Sequence, residues 1–183
     1  MKYLKLFLLA SVTLFFVSCG GLSMVEKDSP TEIKADPDNA KLVIYRGTAF
    51  GFAVVLNNYL DDKFIGQTKG KSFFITTVPP GEHYVIGSGE NNACAKVNFE
   101  AGKVYYLLQG IFPGMMKART GFIGADPEKF EKDKPELTYF ELAEDEEYPE
   151  IDKEMYDQTI ADHEKEIKED PEKHKDTANL KGY

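Results

Sequence analysis

From Lys41 onward the chain is punctuated rather than helically periodic. Short apolar runs recur between turn residues, at the spacing of paired strands and not of strand–helix alternation. The runs predict strands at 41–46, 50–59, 63–67, 72–78, 82–88, 93–99 and 104–110, with a last strand at 137–142. The separators specify the turns. Asp61-Asp62 predicts a two-residue hairpin, Pro79-Pro80-Gly81 fixes φ and then supplies a φ > 0 position, and Glu100-Ala101-Gly102 predicts another hairpin. Leu42 and Ile44, like Phe74, Thr76 and Val78, alternate with polar positions, so one face of those strands is expected buried and the other wet. Val104-Tyr105-Tyr106-Leu107-Leu108 is apolar on both faces and reads as a central strand, covered by a second sheet and by the segment that follows it. The expectation is a mainly β domain, an antiparallel β-sandwich of about seven or eight strands over residues 40–142.

Either side of that domain the pattern changes. Residues 111–124 carry Phe112, Met115, Met116, Phe122 and Ile123 among Pro113, Gly114, Gly121 and Gly124, a loop too apolar for an ordinary solvated connection. It either folds back over the sheet or presents Phe112, Met115, Met116 and Phe122, beside Lys117 and Arg119, as an adaptable partner-docking surface. Asp126-Pro127-Glu128 opens a short helix, with Asp126 as N-cap and Pro127 in the first turn. In the tail, 143–183, Tyr156, Ile160, His163 and Ile167 fall on one helical face. That stripe is thin. The tail therefore reads as a solvated, partly formed helix, or as a helix awaiting a partner, contributing little to folding. Asp170-Pro171-Glu172 ends it before a frayed terminus.

At the other end a basic start, Met1 to Lys5, precedes an apolar run from Leu6 to Val17, too short to span a bilayer and of signal-peptide length. The run closes on Phe16-Val17-Ser18-Cys19, which resembles a bacterial lipobox. That resemblance implies cleavage after Ser18 (signal peptide 1–18), a diacylglycerated Cys19 sulfur and acylation of the new amino group. The alternative is an ordinary cleaved secretory signal with Cys19 incidental. Acyl chains on Cys19 make a stable membrane anchor, each buried methylene contributing ~0.8 kcal/mol. Gly20 after the cysteine, rather than Asp, resembles outer-membrane sorting in Gram-negative bacteria, facing the periplasm. Residues 19–39 are rich in Ser, Asp, Lys, Pro and Gly and read as a flexible leash of ~25 Å. Asp36-Pro37-Asp38-Asn39 lacks the central glycine and terminal glutamate of a calcium loop and reads as a solvated turn.

Charge sharpens the partition. The net charge is −9, and 15 of the 31 acidic but only 6 of the 22 basic side chains lie in 143–183, leaving a balanced body. Such a chain has no basic footprint for nucleic acid and as a whole is repelled by anionic surfaces. With Cys19 lipidated, Cys94 is the remaining thiol and is expected as a small buried side chain.

The inventory for chemistry is thin. Of His83, His163 and His174, two lie in the tail, so the body holds no histidine pair at metal-ligand spacing. Cys94 and His83 lack a nucleophile–base signature, and Asp61-Asp62 reads as a turn former. No catalytic residue, cofactor or metal is expected. Val43-Ile44-Tyr45-Arg46, Gly66, Val78-Pro79-Pro80-Gly81-Glu82-His83 and Glu100-Ala101-Gly102-Lys103-Val104-Tyr105-Tyr106 resemble the landmarks of a bacterial lipoprotein family labelled only as a domain of unknown function. The resemblance covers about 40–110 and extends toward 142. It implies a β-sandwich with no catalytic residues assigned. The expectation is an anchored envelope lipoprotein that binds or scaffolds an envelope partner; an envelope hydrolase or transferase with a site not recognisable in sequence is the alternative.

Overall fold

The computed structural model describes residues 23–34, 37–89, 91–115, 118–144 and 146–183; Cys19 and Met116 lie outside them. Among these residues ten strands form two sheets: β1 (Met24–Lys27), β2 (Ala40–Arg46), β3 (Leu56–Leu60), β4 (Lys63–Thr68), β5 (Ser72–Val78), β6 (Gly81–Ser88), β7 (Asn92–Phe99), β8 (Val104–Pro113), β9 (Ala118–Ala125) and β10 (Thr138–Leu142). The six-stranded sheet runs β1-β10-β5-β2-β8-β9 and the four-stranded sheet β4-β3-β6-β7. Two neighbouring pairs of the larger sheet, β10 with β5 and β2 with β8, are parallel, which corrects the expected all-antiparallel arrangement of fewer strands.

The turn chemistry explains the crossings. Asp61 adopts φ 54° and closes the expected β3–β4 hairpin. Gly81 takes φ 128° where the chain passes from β5 in the large sheet to β6 in the small one. The 100–102 turn, with Gly102 at φ 76°, carries the chain from β7 back to β8 in the other sheet, so it is an inter-sheet crossing and not the expected hairpin. The inner faces share one apolar layer, in which Leu42, Ile44, Phe74 and Leu107 of the large sheet meet Leu60, Val85, Val97 and Phe99 of the small one.

The face of β2 expected to be wet is also buried. Val43 and Tyr45 join Phe73, Tyr106 and Tyr139 in a second core outside the large sheet. Its cover is α1 (Pro127–Asp133), capped as expected by Asp126, whose Oδ1 accepts from Lys129 N at 2.7 Å. Phe130 is the plug: its ring lies edge-on to Tyr45 and Phe73, 5.3 and 5.2 Å between centroids, and tilted over Tyr106. The apolar 104–108 run thus has the two covers it requires.

Four other expectations are corrected. Residues 50–59 are not one strand; only 56–60 pair, because 49–55 wrap around the Arg46 guanidinium. Residues 111–124 are not a loop but the end of β8 and most of β9, where Gly110 opposes Gly121 and Ile111 opposes Thr120. Within the expected leash, 24–27 form an edge strand on β10, since Met24 has a core to enter. The tail is part of the domain: α2 (Lys153–Glu169), a 3-10 turn (Pro171–His174) and α3 (Lys175–Ala178) pack on it, and Tyr183 exchanges both backbone hydrogen bonds with Val104 instead of fraying. The stripe is thin because its contacts are polar, with Thr159 and His163 as the buried residues of α2.

Two outcomes test this packing. Phe130→Ala is expected to cost ~3–5 kcal/mol by emptying the centre of the second core, read as a lowered urea midpoint. Deleting 143–183 should destabilise the domain by more than about 3 kcal/mol, because it exposes β7 and β9 and removes several buried polar contacts. An unchanged midpoint after the deletion would return the tail to the status of an appendage.

Candidate functional site

A concavity lies where the tail helix crosses the small sheet. Asp152 caps α2, its Oδ1 accepting from Met155 N at 2.9 Å. The helix is then tied down by hydrogen bonds. Tyr84 donates to Glu164 Oε1 at 2.6 Å, Lys96 donates to the same oxygen at 2.9 Å, and Asn92 donates to Thr159 Oγ1 at 3.1 Å. After the 3-10 turn the chain returns against β9, so closely that a Cβ at Gly124 would collide with the Asp176 carbonyl oxygen. Between α2, the start of β7 and the β8–β9 hairpin a cleft of about 760 Å³ remains, with Phe112, Arg119, Phe122, Gln158, His163 and His174 among its lining.

His163 is the unusual group. It is 4 % exposed, and its Nε2 has no hydrogen-bond partner among the described residues. Its ring stands edge-on to His174 at 4.5 Å and to Tyr84 at 6.5 Å. Burial, with a smaller contribution from His174, pushes its pKa down to about 4, so it is neutral at pH 7. His174 Nε2 lies 3.0 Å from Glu166 Oε2, and Lys173 Nζ lies 2.8 Å from the same oxygen. Those contacts, the Lys173 hydrogen bond foremost, hold the Glu166 carboxyl below its ordinary range. Burial pushes the Cys94 thiol up to about 12, which leaves it protonated and a poor nucleophile.

The residues expected to dock a partner divide. Phe122 packs against the inter-sheet core and Phe112 stands half-exposed at the end of β8, both lining the cleft. Met115 is 94 % exposed in the hairpin turn. Two further aromatics join them at that end of the molecule, Phe50 and Phe52, exposed by 56 % and 74 %. Their loop is organised by Arg46. Its side chain is fully buried and donates to the carbonyl oxygens of Phe50 (3.0 Å), Gly51 (3.1 Å) and Val54 (2.7 Å). Gly51 takes φ 63° in that loop. The sequence signal was the glycine between two phenylalanines, which a strand reading of 50–59 absorbs.

His83 and Asp61, distant in sequence, are also brought together. Asp61 Oδ2 lies 2.7 Å from His83 Nδ1 while Oδ1 accepts from Tyr84 N at 3.0 Å. This pair fastens the β3–β4 turn to β6. Among the described residues no group of three or more His, Cys, Asp and Glu side chains is placed to hold a metal ion.

The buried imidazole sets a pH dependence. Its folded pKa lies below the ordinary 6.5, so the folded state binds this proton less readily than the unfolded chain does. The stability it contributes is complete above about pH 6.5 and is lost as pH falls toward 4, on the order of 3 kcal/mol across the window. Urea midpoints measured from pH 7 to 4.5 should fall in the wild type and stay nearly level in His163→Gln. Parallel curves would place the dependence elsewhere.

Residues 36–122, from just before β2 to within β9, match the family model described as Protein of unknown function (DUF2846). An uncharacterized protein of Haemophilus influenzae is 34% identical over 112 residues, 56% of this chain and 67% of the relative. No solved structure matches. The match spans the small sheet, the Arg46 loop and β2, β5, β8 and part of β9 of the large sheet, and leaves out β1, α1, β10 and the tail: this chain belongs to the DUF2846 family.

Proposed function

We propose that this protein is a membrane-anchored lipoprotein of the bacterial envelope whose two-sheet, sandwich-like body is a binding or scaffolding module. The anchor is the acylated Cys19, released as the mature N-terminus by cleavage after Ser18, and Gly20 directs the protein to the outer membrane, facing the periplasm. The leash before the first strand is short, since Ser23 is already fixed by its N–H donating to Gln67 Oε1 at 2.7 Å. The body is therefore held close to the lipid.

The observation that carries the binding role is the cleft of about 760 Å³ between the β8–β9 hairpin and α2. Its volume is that of a ligand site, and it sets the Phe112 and Phe122 rings beside Arg119, Gln158 and His174. Its ionisable groups are arranged for holding rather than for reacting. The Cys94 thiol is protonated, the His163 ring is neutral, and Glu166 is occupied by Lys173 and His174.

Two measurements test the two halves of this reading. Expressed in a Gram-negative host, the wild type should partition into the detergent phase with an acylated N-terminal cysteine by mass spectrometry, whereas Cys19→Ser should remain unprocessed or aqueous. Equal partitioning of both forms contradicts the anchor. Gln158→Trp, which fills the cleft from the exposed side of α2, should abolish recovery of whatever co-purifies with the lipidated protein while leaving the melting temperature unchanged. Unaltered recovery would take the binding role away from the cleft.

A further inference from the structure

The hairpin wall of the cleft carries a seated aromatic ring. Phe112 on β8 stands opposite Arg119 on β9, and the next pair on the same face is Gly110 with Gly121. The ring lies back over those two glycines, since a Cβ at Gly110 would stand 3.0 Å from Phe112 Cζ and one at Gly121 3.5 Å from Phe112 Cε2. A larger residue at 110 would lift it off. Phe112 nevertheless stays half-exposed and lines the cleft, so its ring is supported on one side and open on the other. The exposed Arg119 guanidinium is its cross-strand neighbour, about 5 Å away at Cβ.

The helix wall supplies polar groups that still lack partners. His163 lines the cleft at 4 % exposure, and its Nε2 has no hydrogen-bond partner among the described residues. A buried ring nitrogen in that condition is costly until a hydrogen-bonding group reaches it. Gln158 and Asn92 line the same space, their amide nitrogens donating to Asp162 Oδ1 at 2.8 Å and Thr159 Oγ1 at 3.1 Å. Each amide also carries an acceptor oxygen.

Charge narrows what such a site can hold. Among the described residues of the lining, Arg119 and Lys173 are matched by Asp162 and Glu166, so an anion and a cation would each meet like charges. A neutral ligand meets none. A hydroxyl both donates and accepts, so it satisfies the His163 nitrogen in either tautomer, an amide oxygen or the guanidinium. The C–H face of a sugar ring carries the slight positive charge that the face of a phenyl ring attracts. A peptide strand pairing with β9 is a poorer fit, because the Asn91 side-chain amide already donates to and accepts from the Thr120 backbone at 2.8 Å.

We propose that the cleft binds a neutral saccharide, one sugar ring stacking on the open face of Phe112 while its hydroxyls bond Arg119, Gln158 and His163 Nε2. This rests on the binding role given to the cleft above and names the chemical class of its ligand. A chain of N-acetylated sugars and a chain of plain hexoses share that chemistry.

Titration calorimetry of the chain from residue 19, carrying Cys19→Ser so that no detergent is needed, tests it with two probes. They are chitotetraose, a chain of N-acetylglucosamine, and maltotetraose, a chain of glucose. One of them should bind, and the His163 ring signals should shift on binding in NMR spectra. Phe112→Ala and Arg119→Ala should each weaken that binding by about tenfold or more. Both side chains are exposed, so an unchanged melting temperature serves as the control for folding. Binding of neither probe overturns the proposal, as does equal binding by wild type and Phe112→Ala. A protein partner lost in Gln158→Trp, with no saccharide bound, overturns the saccharide alone and leaves the cleft its binding role. No saccharide bound and no partner lost in Gln158→Trp removes both.

Discussion

Strands β2 and β8 are apolar on both faces, and a strand buried on both sides needs two covers. The small sheet supplies one, through Leu60, Val85, Val97 and Phe99. The other comes from α1, seven residues whose single buried side chain, Phe130, fills the space between Tyr45, Phe73 and Tyr106. A short connection suffices for β8 to turn into β9, but covering β2 requires the chain to leave the sheet, cap a helix at Asp126 and return as β10 beside β5. The parallel pairing of β10 with β5 follows from that detour, whereas β2 and β8 are brought side by side by the strands β3 to β7 that lie between them in the chain. Parallel strands need a crossover of this kind, whereas the small sheet, fed by hairpins and crossings from above, is antiparallel throughout.

Two open sheets leave edges, and the rest of the chain manages them. On one flank β1 sits on β10, and Ser23 and Gln67 bridge it to β4; Tyr148 stacks on Phe64 of that same edge strand. On the other flank β7 and β9 are pinned to each other through Asn91, whose side chain both donates to and accepts from the Thr120 backbone at 2.8 Å. The tail then covers this flank. Most of its acids face solvent while Thr159 and His163 turn inward and Glu164 bonds Tyr84 and Lys96, so a strongly acidic segment can be an integral layer without an apolar stripe of ordinary width.

This division decides what a reader of the sequence can see. Strands bounded by Asp61-Asp62, Pro79-Pro80-Gly81 and Ala101-Gly102 were legible, because turn chemistry is local and each of Asp61, Gly81 and Gly102 sits at positive φ. Where those turns led was not, since a hairpin and an inter-sheet crossing use the same residues. The β8–β9 hairpin was hidden by glycines that pair across it, Gly110 against Gly121, and so resemble loop residues. The packed tail was hidden because Glu164 binds Tyr84 and Lys96, and such hydrogen bonds leave no hydrophobic period. At the candidate site, Phe112, Met115 and Phe122 announced themselves as apolar residues without a strand to belong to. Arg46 did not, because a basic residue at the end of a strand reads as a solvated one until its three carbonyl partners are seen.

The acidic tail is a structural layer of the domain, and the cleft exists because this layer is fixed. Amide hydrogen exchange of the intact chain, followed residue by residue along α2, tests it most directly. Amides from Thr159 to Glu166 should exchange as slowly as those of β6 and β7 beneath them, opening only with the sheet. Exchange of that stretch within seconds, while β6 and β7 remain protected, would mean that the helix merely visits the small sheet and that no fixed cleft lies beneath it.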